Sequence, residues 1–307
     1  MYFLGEEEKR FLLHGLLPRS RETDVAGELR GWHWHEPPLS PIYDVRLGVF
    51  EVAGAYCSSG RDLYLRRVLR VKAPPNAEMV EGGVLHEAVG DLILRVKRTV
   101  YGAGIDCLPA LEELAAPPSL PTSGRAQGLP IERQQELQDK LTSLWRFEHR
   151  RVMARIEEVL AKQPYIGPDA LVAAALPVTV EQKLNGSFLG LSAHLSADGF
   201  LFSEPMVVDL KFGPKQPFHR LSTTGYGMVM ESLHEYPVNV GCVVYVQFKG
   251  ERVLIDRDFH LIDDELRQRF VEARDEKARL VEEEIDPGRA PECYTSCPYH
   301  RECHPRS

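Results

Sequence analysis

Val207-Val208-Asp209-Leu210-Lys211-Phe212-Gly213 joins an apolar run to a carboxylate and an ammonium, then stops at a glycine followed by Pro214. Side chains alternate across an extended strand, so Asp209 and Lys211 point one way while Val208 and Leu210 point the other. The carboxylate can hold Mg2+ or Mn2+, with phosphate and water as the other ligands. The ammonium beside it can neutralise charge that builds on a phosphate. A surface ion pair at a strand end has the same pattern, so the surrounding chain has to decide between the two.

Upstream, Pro177-Val178-Thr179-Val180-Glu181-Gln182-Lys183-Leu184 alternates apolar and polar residues as a half-buried strand does. Asn185-Gly186 predicts a turn, residues 187–197 a second strand, and Asp198-Gly199 a hairpin signal leading to the third strand at 206–212. Downstream, 218–234 reads as a helix and 240–248 as a buried strand. Residues 252–257 pair with that strand across Lys249-Gly250, and 263–284 form a charged helix. The earlier half is mainly helical. Helical spacing covers 61–72, 78–98 (with Val84, Leu85, Ala88, Val89, Leu92 and Val96 apolar, and carrying His86) and 131–162. The breaker-rich stretch 115–130 reads as a mobile loop. Gly31-Trp32-His33-Trp34-His35 reads as a packed loop, whose histidines serve packing rather than metal binding. The expected division is therefore a mainly helical region at 1–170, a catalytic core at 171–260, and a C-terminal helix with its cysteine segment at 261–307. The expected class is α/β, a mixed sheet flanked by helices.

A chain of 307 residues with 43% hydrophobic and 27% charged content can bury a full-sized core. No apolar run reaches the roughly 18–20 residues that span a bilayer, and the acidic start lacks the basic flank of a secretory signal. A cytoplasmic protein with no membrane partner is expected. The net charge of −8 argues against a protein that coats nucleic acid nonspecifically, but not against a local basic groove. Arg61, Arg66 and Arg67, with Lys215 and Arg220, are candidates for tracking a DNA backbone. A solvated helix face is the plain alternative for the first three.

Three of the six cysteines, Cys293, Cys297 and Cys303, fall in the last fifteen residues, and Cys57 lies far upstream. In a reducing compartment such clustering reads as metal ligation rather than disulfides. One centre holding all four would staple the end of the chain to an early segment. The nearby His300 and His304 keep zinc open beside an iron–sulfur cluster. Cys242, within an apolar strand, reads as a core residue, and Cys107 has no evident role.

Taken together, Gly82-x-x-x-His86, a hairpin, Asp209-x-Lys211, a helix containing Tyr226, one early cysteine and three terminal ones resemble a known family. They are similar to the RecB-type PD-(D/E)xK nucleases that carry an iron–sulfur cluster. More narrowly they resemble the CRISPR-associated "Cas-four" nucleases, nearest the archaeal type I-A branch, "Csa-one". The stretches Tyr56-Cys57-Ser58-Ser59-Gly60-Arg61 and Phe218-His219-Arg220-Leu221-Ser222 through Tyr226 point to that branch.

The resemblance implies a restriction-endonuclease-like mixed sheet and a metal-dependent exonuclease directed at single strands or overhangs. Such an enzyme processes spacer precursors in CRISPR adaptation, beside integrase proteins and a second RecB-like nuclease. It implies His86 and Asp209 as ligands of Mn2+ or Mg2+, and Lys211 as the catalytic lysine. Cys57, Cys293, Cys297 and Cys303 would hold an iron–sulfur cluster, [4Fe–4S] by ligand count. Glu181 and Tyr226 are accessory candidates. The sequence departs from the family where an aspartate is expected on the second strand. His194 falls nearest that place and Asp198 reads as the following turn, so both are candidate ligands, and an imidazole there suits Mn2+ better than Mg2+. Ser222 stands where relatives carry glutamine. A catalytically inactive DNA-binding adaptor is the competing reading.

Overall fold

The computed structural model describes residues 1–120, 124–202 and 204–304; residues 121–123 of the expected mobile loop lie outside the described residues. At its centre is a five-stranded mixed sheet with helices on both faces. The strands run β1 (Thr179–Leu184), β2 (Leu195–Leu201), β3 (Met206–Lys211), β4 (Val240–Lys249) and β5 (Arg252–Leu261). Their spatial order is the sequence order. All neighbours are antiparallel except β3 and β4, which are parallel. Parallel neighbours need a crossover, and the helix His219–His234 between them supplies it.

Among the helices that position the site are α1 (Val49–Ala53), α2 (Arg61–Arg67), α3 (Ala77–Ala103), α4 (Ile131–Lys162), α5 (Pro168–Ala175), α6 (His219–His234), α7 (Asp264–Glu282) and α8 (His300–Cys303). One face of the sheet, through Val208, Leu210, Val244 and Val246, packs on α3, α4 and α5. The other, through Val207, Ala197 and Phe200, packs on α6, α7 and α1. Burial on both sides is why β3 and β4 read as nearly continuous apolar runs.

Local chemistry sets the helix limits. Asn76 caps α3 by accepting the Met79 N–H at 2.8 Å, and Asp263 caps α7 by accepting that of Leu266 at 3.1 Å. Helix α2 ends at Arg67, short of the expected residue 72, because Arg70 turns the chain at φ +56°. Glu231 of α6 and Arg267 of α7 are fully buried and meet through two parallel hydrogen bonds of 2.7 and 2.9 Å, which fixes the two helices together.

The second strand departs from expectation. Ser187–Leu189 form a 3-10 turn, and β2 begins only at Leu195. Asp198 and Gly199 lie inside β2, where Gly199 pairs with both Val180 and Val208, so the predicted hairpin turn there is corrected. A dipeptide suited to a turn is held extended because strands pair on both of its sides.

Candidate active site

The β2–β3 ladder ends at Gly199 and Val208. Beyond it Asp198 uses its side chain in place of the backbone, and its Oδ2 accepts the Leu210 N–H at 2.7 Å. His86 reaches the same fork from α3. Its Nε2 lies 2.8 Å from the Leu210 carbonyl and 3.2 Å from Asp198 Oδ2. Both partners are acceptors, so Nε2 carries a proton and donates to them. Burial opposes the charged imidazole, but the Asp198 carboxylate and these bonds prevail and raise its pKa to about 9. Asp198 feels the same burial cost, and His86 and Lys211 hold it below the usual carboxylate range.

Glu181 on β1 completes a three-residue group: it, His86 and Asp198 each offer a ligand atom within 4.8 Å of the others. Its backbone is left-handed at φ +51°, between the paired Val180 and Gln182. A glutamate held there costs about 1 kcal/mol. Ser196 Oγ donates to its carboxylate at 2.8 Å.

Asp209 and Lys211 occupy one face of β3, with Lys211 Nζ 2.7 Å from Asp209 Oδ2. Asp209 is 5% exposed. Desolvation dominates its ionisation, and despite Lys211 its pKa is pushed up to about 6. Lys211 is raised in turn, the Asp209 and Asp198 charges outweighing its own burial. Asp209 Oδ2 is buried and, although close to Nζ, accepts no well-directed hydrogen bond. Asp209 lies outside the His86–Glu181–Asp198 group but feels the charges of Asp198 and His86, and a buried carboxylate oxygen with an unsatisfied lone pair fits a hard divalent cation.

The remaining candidates are placed as follows. His194 is exposed and outside the His86–Glu181–Asp198 group. It precedes the strand instead of occupying it, and of the two candidates Asp198 is the one that meets His86. Tyr226, on α6, is half-buried, and its phenol is raised by burial and by the charges of Asp198, Asp209 and Glu181. It lines a cleft of about 590 Å3 with Arg46, Arg66, Arg67 and His194. The five basic candidates all have carboxylate partners. Arg61 pairs with Asp286 at 2.8 Å, Arg66 and Arg67 share Glu51 at 3.2 and 3.8 Å, Lys215 pairs with Asp256, and Arg220 grips Asp258 at 2.8 and 2.6 Å. Their charge is largely compensated within the fold.

Sequence reasoning missed a hydrogen-bonded chain beside the lysine. Tyr56 Oη lies 2.9 Å from His219 Nε2, and His219 Nδ1 lies 3.1 Å from Tyr245 Oη. Burial, then the Lys211 charge, lowers His219 to about 4, so it is neutral. Tyr245 sits opposite Lys211 in the β3–β4 register. The available signal was the Tyr56-Cys57 pair, which ties this chain to the cysteine segment.

The early and terminal segments do meet. Ser59 Oγ donates to the Gly288 carbonyl at 2.9 Å, and Asn76 Nδ2 to that of Ser296 at 2.9 Å. Cys57, Cys293, Cys297 and Cys303 are free thiols. Burial raises Cys297 and Cys303, and the charges of Cys293 and Cys57 raise both further. A nearby cationic centre would stabilise these two groups as thiolates. Cys107 and Cys242 are buried and apart from this group. No helix among the described residues is long and apolar enough to cross a membrane.

A family model described as CRISPR-associated exonuclease Csa1 matches residues 1–306. A CRISPR-associated exonuclease Csa1 from Thermoproteus tenax is 32% identical over 292 residues, covering 94% of this chain and 96% of that protein. Another of the same description, from Saccharolobus solfataricus, is 28% identical over 288 residues, covering 92% and 93%. No solved structure matches the chain.

Proposed function

The chain belongs to the CRISPR-associated exonuclease Csa1 family, and from that premise we propose that it is a divalent-metal-dependent DNA exonuclease with a restriction-endonuclease-like core. The observation that carries the reading is the convergence of His86, Glu181 and Asp198 at the fork where β3 presents Asp209 and Lys211. Three carboxylates, an imidazole and an ammonium are a donor set for one hard cation and a phosphate.

Asp198, Asp209 and Glu181, with His86, would hold Mn2+ or Mg2+. When bound, the ion would supply Lewis-acid polarisation of the scissile phosphate and acidify a water. Lys211 would donate to a non-bridging phosphate oxygen and offset the charge that develops there. The neutral His219, hydrogen-bonded to Tyr56 and Tyr245, would hold those phenols beside Lys211 without adding a cation. The Asp198 bond to Leu210 N–H fixes the fork, so the carboxylates would keep their spacing as the ion enters.

The thiols of Cys57, Cys293, Cys297 and Cys303 would hold an iron–sulfur cluster, supported by the bonds that draw residues 59 and 76 to the tail. Processing of spacer precursors beside the integrase proteins is the role this reading takes from the family's CRISPR association.

The test is cleavage of end-labelled single-stranded and overhang DNA with Mn2+ or Mg2+, after anaerobic purification. Wild type should cut and Lys211→Ala should not. A folded, cluster-loaded wild type that cuts nothing with either ion would move the adaptor reading ahead.

A further inference from the structure

The C-terminal turn carries a second donor set that shares Cys293 with the four thiols and adds two imidazoles that they would not use. Cys293, His300 and His304 each place a ligand atom within 4.8 Å of the other two. Local backbone accounts for this. The His304 N–H donates to the His300 carbonyl at 2.9 Å, one helical turn, which sets the two imidazoles on one side. Their rings stack at 4.6 Å and 28°. Before α8, the Cys297 N–H donates to the Tyr294 carbonyl and the His300 N–H to that of Cys297, both at 3.0 Å, which folds Cys293 back towards the imidazoles. The turn is anchored to α3 through Asn76 and Ser296. Cys303 is buried, whereas Cys293 and His300 are half-buried and His304 is exposed, so an ion from solvent can reach this set.

We propose that Cys293, His300 and His304 form a mononuclear Zn2+ site with one sulfur and two nitrogen donors and a fourth position open to water. Zinc takes tetrahedral S/N sets at about 2.0–2.3 Å, which puts its donors about 3.3–3.8 Å apart. Side-chain rotation closes the difference from 4.8 Å. Mg2+ and Ca2+ select oxygen donors, and a [4Fe–4S] cluster takes four thiolates, so this set discriminates against both. Binding ionises the Cys293 thiol and releases its proton while both imidazoles bind neutral. Because Cys293 also belongs to the four-thiol set, the two occupancies exclude each other. Only a chain without the cluster takes zinc here.

The experiment uses the full chain freed of iron by oxidation and chelation and then re-reduced under anaerobic conditions, titrated with Zn2+ and with Co2+, whose visible spectrum reports tetrahedral S/N ligation. One equivalent should bind. Affinity should fall at least about tenfold in His300→Ala, His304→Ala and Cys293→Ser, and stay unchanged in Cys57→Ser. Binding that survives both histidine changes and disappears in Cys57→Ser belongs to the four thiols and overturns the proposal. So does a wild type that is folded by circular dichroism yet binds nothing. Iron-loaded protein that still takes up histidine-dependent Co2+ overturns the mutual exclusion. DNA cleavage is a separate readout that depends on Lys211, so failure here leaves the nuclease reading standing.

Discussion

His86 Nε2 lies 3.2 Å from Asp198 Oδ2, so an imidazole from the helical half of the chain and a carboxylate from the second strand form one charged pair. The pair closes the fork between β2 and β3, because each residue also bonds to the Leu210 peptide. It therefore ties the geometry of the carboxylates to the docking of α3 on the sheet.

Asp198→Asn should reduce cleavage at least about a hundredfold, while His194→Ala leaves it within about twofold. The asparagine can still accept the Leu210 N–H but neither pairs with a charged imidazole nor offers an anionic ligand. In the same variant the His86 pKa should drop from about 9 towards or below the ordinary 6.5, as an NMR titration would read. An active Asp198→Asn enzyme beside an inactive His194→Ala would reverse the assignment of the second-strand ligand.

Metal binding should be coupled to protons. His86 carries a proton below about pH 9 and Asp209 below about 6. Ligation through either needs that proton to leave, so Mn2+ affinity should rise with pH across 6–9. Calorimetry in buffers of different ionisation enthalpy should show close to one proton released per Mn2+ at pH 7.5. No release would mean that His86 keeps its proton and acts only as a partner of Asp198.

The raised pKa of Asp209 also bears on stability. Its folded value, about 6, exceeds the unfolded 3.8, so the folded state holds the proton more tightly. Its contribution is present below pH 3.8 and is lost as pH rises through about 6. Metal-free wild type should therefore lose roughly 1–3 kcal/mol relative to Asp209→Asn between pH 4 and 7. Denaturant melts at the two pH values give this difference, and equal pH dependence in both proteins would contradict the buried, desolvated carboxylate. His86 adds a contribution full below 6.5 and lost as pH rises through about 9.

The four-thiol centre predicts a coloured protein under anaerobic purification. Cys303→Ser should lose iron and lower the thermal midpoint by about 5–10 °C, because ligands from both ends of the chain are no longer joined. A colourless wild type whose midpoint ignores Cys303→Ser would remove the cluster from the reading.

Much of the sheet was legible because burial leaves a periodic trace. The Val207–Leu210 run, the alternation in 179–184 and the 240–248 run each announce a strand, and the observed limits differ by only a few residues. Asp198 was named as a candidate ligand, but its place inside a strand was illegible for a physical reason. Asp-Gly favours turns locally, and only pairing on both edges of β2 holds it extended. The basic candidates show the converse. Their charge is visible in the sequence, but Glu51, Asp256, Asp258 and Asp286, which compensate it, are brought there by folding.

By itself the sequence determined the α/β class, the same-face placement of Asp209 and Lys211, and the spacing that lets thiols converge. These follow from alternation along one strand and from distances along one segment, which are local. Only the tertiary structure decided that Asp198 and not His194 joins His86, that Glu181 completes the group at a left-handed φ, and that Tyr56, His219 and Tyr245 line up beside Lys211. Each of these depends on which elements pack together and in what register. That choice is set by burial summed over the whole core, and no single stretch of the chain carries it.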